Sequence, residues 1–150
     1  MNWKVVIGGG LAFFAVSFLV GSVTGMVIHT GILTEPYQAT SQFWRPELRQ
    51  DPPDIAALMP LWIFNGIVLS LVIAALYNLV RPAFTGAGWK KGLTWGLMLA
   101  TFVAAYHMSQ SGNFDLPGTI WVWWTIDVLI LFALSGIALG VVADKLAPPG

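Results

Sequence analysis

Four side chains that can bind a ligand or a proton lie within long apolar stretches of this chain. They are His29, Asn65, His107 and Asp127. Two histidines and a carboxylate can ligate a metal or a haem iron, hold a proton or bind a polar headgroup. Ionisable groups inside membrane segments are costly and are often functional. Each of the four lies on a different apolar segment, near the same side, so the sequence predicts that they form one polar cluster.

Three interpretations of this cluster stay open. The favoured one is structural, because a buried polar group must find a hydrogen-bond partner and such pairs fix how helices pack. The second is a ligand site for a b-type haem, a metal, or a lipid or quinone headgroup. The third is proton or small-solute handling, although the opposite half of the apolar segments has almost no polar groups to continue a path.

Complete catalytic sets are missing from the sequence. The chain has no cysteine, which excludes thiol catalysis, disulfides and thiolate metal sites. No GxSxG, HExxH or phosphate-binding loop occurs in a suitable context. The formal net charge is zero and no basic run suggests nucleic acid. The sequence therefore favours a protein that is not an enzyme, predicts no catalytic residue and requires no cofactor.

The elements that must position the cluster are membrane-spanning helices. Of the 150 residues, 57% are hydrophobic and only 9% are charged, too few charges for the surface of a soluble domain. Uncharged runs long enough to cross a bilayer occupy 5–34, 55–80 and 92–114, and 116–143 carries only Asp127. The sequence predicts one all-α domain over 1–150, with four spans at about 5–29, 57–80, 89–110 and 119–143. The first span continues past the length of an ordinary signal peptide, so we expect it to be retained.

Basic residues set the expected orientation. Short links between the later spans favour an up-down-up-down four-helix bundle with both termini on one side. That side carries five basic residues, whereas the other carries only Arg45 and Arg49. The positive-inside rule places the termini in the cytoplasm and the 30–56 loop outside, most simply in a bacterial inner membrane.

Small residues recur every fourth position along the predicted spans. In lipid, helices associate by close packing, which small-xxx-small faces permit. The predicted helix-packing positions are Gly21, Gly25, Gly92, Gly96, Gly136 and Gly140. Their main expected use is internal packing, with docking onto another membrane subunit as the alternative.

Aromatic residues mark the 30–56 loop and the start of the fourth span. Tyr37 and Trp44 are seven residues apart, so a short amphipathic helix lying in the membrane interface would present them on one face. Such rings favour the headgroup layer or a partner surface. The predicted contact residues are Tyr37, Phe43, Trp44, Arg45, Trp121, Trp123 and Trp124.

The same loop carries a family resemblance. The pattern His29-x-x-Ile-Leu, Tyr37-x-Ala-Thr40 and Trp44-Arg45-Pro46 resembles that of small bacterial four-span membrane proteins of uncharacterised function. The likeness is best over 20–50 and implies a fold but no activity. Those proteins often carry an acidic residue earlier in the first span, where this chain has Gly21 and Ser22.

These features favour a non-catalytic accessory or assembly subunit of a larger membrane complex, with the lipid bilayer and other membrane subunits as its partners. The alternative is a membrane protein that binds haem, metal, lipid or quinone through the polar cluster. The loops are small, the helix faces are suited to close contact, and the catalytic set is incomplete.

Overall fold

The computed structural model describes residues 1–148, and within them every regular element is helical. Short 3-10 turns lie at Ser41–Phe43, Pro46–Arg49 and Arg81–Ala83. The predicted all-α class is therefore confirmed for this part of the chain. The helices are α1 (Val5–Ile32), α2 (Thr34–Ala39), α3 (Ile55–Val80), α4 (Gly88–Gln110) and α5 (Gly118–Leu146).

Three stretches among residues 1–148 are long and apolar enough to cross a membrane: Val5–Ile32, Ile55–Ala83 and Gly118–Leu146. The chain is thus compatible with an integral membrane protein. Helix α4 coincides with the predicted third span but is not one of the three. Its first turn contains Lys90 and Lys91, and polar residues follow along its length, which lowers its mean hydropathy.

The closest helix packing joins α4 to α5. A methyl group built on Gly92 would overlap the carbonyl oxygen of Gly136, and one built on Gly136 would overlap that of Gly92. Gly96 lies equally close to the Phe132 carbonyl, and Gly140 to that of Gly88. The two backbones touch because no side chain separates them. The small-residue face of α4 is thus used inside the chain.

The two glycines singled out on α1 behave differently from those on α4 and α5. A methyl group on Gly21 would lie 3.6 Å from Leu131, an ordinary contact, and one on Gly25 would have nothing within 4 Å. Gly25 is therefore not an internal packing position among the described residues, because no neighbouring helix approaches it. The close approach of α1 to α3 uses Gly10 instead, where a methyl group would lie 3.2 Å from the Cα of Leu71.

The two ends of the helices are built differently. At the Arg81 end, where α3 passes into α4, the Arg81 guanidinium donates to Asp144 at 2.7 Å and also to the Ala147 carbonyl. The Lys91 side chain is buried there, 3.9 Å from Asp144. At the opposite end, which we call the His29 end, Leu33 and Ile120 are fully buried among aromatic rings. Charged side chains therefore stabilise the Arg81 end, and apolar and aromatic packing contributes at the His29 end.

Candidate functional site

The site at the His29 end is an open hollow of about 300 Å³, which we call the His29 hollow. Its lining comes from three helices: His29 at the end of α1, His107 near the end of α4, and one face of α5. The α5 residues lie three and four positions apart, as expected of neighbours on one helix face. The full lining is His29, His107, Trp124, Asp127 and Val128.

The local winding of α1 positions His29. Residues Gly25–Ile32 form π-helical turns, and the Leu33 amide donates to the Ile28 carbonyl at 2.8 Å. A π-helical turn shifts the register of the residues beyond it and is frequent at functional sites. His29 is thus set in a widened last turn, with its side chain 32% exposed.

A chain of hydrogen bonds connects three segments through His29. The Trp124 indole N–H donates to the Tyr37 hydroxyl oxygen at 2.7 Å. That hydroxyl lies 2.7 Å from His29 Nδ1, and His29 Nε2 lies 3.0 Å from Asp127 Oδ2. We call Trp124, Tyr37, His29 and Asp127 the His29 network.

The first donor allows one consistent direction through the whole network when His29 is neutral. An indole N–H can only donate, so the Tyr37 oxygen accepts from Trp124 and its own hydrogen is free for His29 Nδ1. Neutral His29 then carries its hydrogen on Nε2 and donates it to Asp127. Every polar atom along this path has a partner when His29 is neutral and Asp127 is ionised.

This arrangement also occupies both nitrogens of His29. A haem or metal ligand must offer a free nitrogen lone pair, so coordination through His29 would require breaking its bond to Tyr37 or to Asp127. No cluster of three metal-binding side chains occurs within residues 1–148. The geometry therefore favours hydrogen bonding over metal ligation as the chemistry of His29.

Two polar atoms at the hollow are buried without a hydrogen-bond partner within residues 1–148: Asp127 Oδ1 and His107 Nδ1. The His107 ring meets the Trp124 ring edge-on, with centroids 5.7 Å apart. The Thr24 hydroxyl is near the Asp127 carboxylate, but its single hydrogen is directed to the Gly21 carbonyl at 3.5 Å, so it donates to Asp127 only if it gives up that long bond. An unpartnered buried polar atom is costly, so a donor that reached these two atoms would be favoured.

The loop segment is held in place through Tyr37 and Trp44. The Trp44 indole N–H donates to the Tyr37 carbonyl and to the Thr40 hydroxyl, both at 3.1 Å. The Tyr37 and Trp44 rings are 5.1 Å apart, and Trp44 also meets Trp124 edge-on at 6.1 Å. Helix α2 ends at Ala39, so this segment is a six-residue helix followed by a 3-10 turn and not one continuous helix.

The structure separates one predicted member from the cluster. Asn65 is exposed on α3 and does not line the His29 hollow. It cannot face α1, because the neighbouring Gly66 occupies that side and a methyl group there would lie 2.8 Å from the Phe14 ring. His29, His107 and Asp127 do come together, as their spacing predicts.

The predicted contact residues also divide into two groups. Trp121 is only 5% exposed, so its prediction as a partner contact is wrong: it packs within the chain against Trp124. Tyr37, Trp44, Trp123 and Trp124 are half-buried in the same aromatic cluster. Phe43 and Arg45 remain exposed. Sequence reasoning did not identify Tyr37 as the link between His29 and Trp124, because that link depends on how the loop folds back.

The pKa of Tyr37 provides a test of this packing. Burial raises it from 10 to about 12, the bond from Trp124 partly opposes that rise, and the charge of Asp127 adds to it. Because the folded state holds the proton more tightly, this contribution to stability is complete below about pH 10 and is lost as the pH rises through about 12. Phenolate absorbance of the wild type minus that of Tyr37→Phe should titrate near pH 12. A difference curve centred at pH 10 would contradict the buried, hydrogen-bonded position of Tyr37.

Comparison with known proteins finds no family, no curated protein and no solved structure that matches this chain.

Proposed function

We propose that this chain is a four-span integral membrane protein that binds a small hydrogen-bond-donating headgroup in the His29 hollow. The observation that carries the proposal is the pair of buried, unpartnered atoms at the hollow, Asp127 Oδ1 and His107 Nδ1. An ionised carboxylate accepts hydrogen bonds, and a neutral histidine with its hydrogen on Nε2 accepts at Nδ1. An ammonium group has enough hydrogens to donate to both atoms. A hydroxyl satisfies both when the His107 hydrogen lies on Nδ1, because it then donates to Asp127 and accepts from His107.

The size and lining of the hollow suit a headgroup better than a large molecule. Its volume of about 300 Å³ is at the lower end of the range for ligand pockets. The Trp124 ring supplies an apolar wall, and Asp127 supplies the charge. The hydroxyl of a quinol and the amine of a phospholipid share the required donor chemistry.

The membrane arrangement that goes with this proposal adds α4 to the three apolar spans. Helix α4 is 23 residues long and packs backbone to backbone on α5, so the two helices cross the bilayer together. The distribution of basic residues supports an extracytoplasmic His29 end and cytoplasmic termini. A bacterial inner membrane is the setting that best fits this orientation.

Ligand titration of the solubilised protein tests the proposal. We would add a short-chain quinol and, separately, phosphatidylethanolamine, and follow tryptophan emission. We expect a saturable change with one of them, and about tenfold weaker binding by His107→Leu, since one buried acceptor is lost. Ser109→Ala is the matched control, because Ser109 lies on the same helix, is exposed and donates only to the Tyr106 carbonyl. No saturable change in either titration, or equal binding by wild type and His107→Leu, would refute it.

A non-catalytic accessory subunit is the second candidate. The observation in its favour is that Phe43 and Arg45 stay exposed, with side chains 50% and 57% accessible, on a loop whose other aromatic rings are fixed inside. Purification in a mild detergent followed by mass spectrometry should then recover a partner chain. The partner should be lost in Phe43→Ser with Arg45→Gln. A wild-type preparation without a stoichiometric partner would rule out this candidate.

A further inference from the structure

Asn65 lies on the outward face of α3, about halfway along it. It is the eleventh residue of a 26-residue helix, so at about 1.5 Å per residue it lies roughly 15 Å from the first turn. The opposite face of α3 packs on α1 through Gly66 and the buried Ser70. The exposed residues around Asn65 are Leu61, Val68, Leu69 and Val72, which are 42%, 45%, 53% and 51% accessible.

The hydrocarbon layer of a bilayer offers the Asn65 side-chain amide no hydrogen-bond partner. Helix α3 belongs to one of the three stretches that are long and apolar enough to span, and a position about 15 Å along it is near the centre of the hydrocarbon layer, which is about 30 Å thick. Lipid tails cannot accept or donate hydrogen bonds, and asparagine side chains in membrane helices hydrogen-bond across helix contacts. The surface around Asn65 therefore fits a second helix.

The chemistry of the exposed α3 face around Asn65 indicates which helix would pack against it. An amide has both a hydrogen-bond donor and an acceptor. Two asparagines related by a two-fold axis can therefore each donate a hydrogen bond to the other. Residues 55–80 carry no charge, so no repulsion opposes contact between two copies. Copies inserted in one orientation place Asn65 at the same depth in each.

We propose that α3 is the contact helix of a symmetric dimer of this chain, in which the Asn65 amides of the two copies hydrogen-bond to each other. Leu61, Val68 and Val72 then lie at the spacings of three, four and seven residues that line a parallel two-helix contact. This surface is separate from the His29 hollow and does not depend on the ligand proposed for it.

Cysteine cross-linking in membranes tests the dimer directly, because the chain contains no cysteine of its own. In Val68→Cys, oxidation should join two copies through a disulfide. Phe102→Cys is the matched control: Phe102 is 70% exposed on α4, on a different surface, and should not cross-link above background. Adding Asn65→Leu to Val68→Cys should lower the dimer yield about fivefold, the effect of losing interhelical hydrogen bonds.

A conservative variant and three contrary outcomes complete the test of the dimer. Asn65→Gln keeps the donor and the acceptor and should retain more dimer than Asn65→Leu, and thermal unfolding of each variant shows whether the monomer is still folded. Equal cross-linking of Val68→Cys and Phe102→Cys would overturn the dimer, as would a dimer yield unaffected by Asn65→Leu. Cross-linking of Val68→Cys to a different protein would also overturn it, because the face would then serve a foreign helix.

Discussion

Gly92→Ala is expected to destabilise the protein by about 2 kcal/mol, because the added methyl group has no space between α4 and α5. A methyl group at this position overlaps the Gly136 carbonyl oxygen and lies 2.9 Å from the Cα of Gly140. Both obstacles are backbone, so no side-chain rotation can relieve the overlap and the helices must separate. Unfolding of the purified protein by a denaturing detergent measures the loss.

Gly25→Ala is the matched control for this substitution. It adds the same methyl group at another helical glycine, but nothing lies within 4 Å of the new atom. Alanine favours helix over glycine by about 1 kcal/mol, so Gly25→Ala should be neutral or mildly stabilising. If the two variants unfolded alike, the backbone contact between α4 and α5 would not be as close as the structure has it.

Asp127→Leu is expected to have the second largest effect, because it removes the acceptor at the end of the His29 network. His29 Nε2 loses the one partner that it has within residues 1–148, and the hydrogen-bonded link from Tyr37 to α5 then depends on Trp124. Hydrogen bonds between membrane helices contribute about 1–2 kcal/mol at most, so we expect a loss in that range. The same substitution should make the 33–54 loop more sensitive to proteases added to the His29 end.

A double-mutant cycle separates the interaction energy of His29 with Asp127 from the other effects of each substitution. His29→Leu and Asp127→Leu should each destabilise the protein, and the double variant should cost clearly less than their sum, since both remove the same bond. Asp115→Asn is the control, because Asp115 is an exposed acid in the loop that precedes α5. Additive losses would show that His29 and Asp127 do not interact in the folded protein.

The network also explains what the residues of the family-like pattern do in this chain. The pattern contains His29, Tyr37, Thr40 and Trp44, and the structure connects them through three side-chain hydrogen bonds and two ring contacts. Two of those bonds tie Trp44 to the turn that follows Tyr37. The pattern therefore describes a folded loop and the helix end that anchors it.

The sequence determined the helices and which polar residues lie near the same end of them. Uncharged runs of this length cannot satisfy their backbone groups in lipid except as helices, so the helical segments at 5–32, 55–80 and 118–146 follow from composition alone. Residue counts from the helix ends placed His29, His107 and Asp127 at one level, which is where the structure places them.

Only the tertiary structure decided which way each helix is turned about its axis. That rotation depends on the neighbouring helix: Gly66 fits against Phe14, and Asn65 is consequently directed outward and away from the polar cluster. The tertiary structure also decided where the aromatic side chains lie. The sequence leaves this open, since either headgroup water or a protein oxygen can accept the hydrogen bond of an indole N–H. Trp124 and Trp44 bond to Tyr37, and Trp121 is buried beside Trp124, because the loop folds back onto α5, a long-range contact that no local spacing encodes.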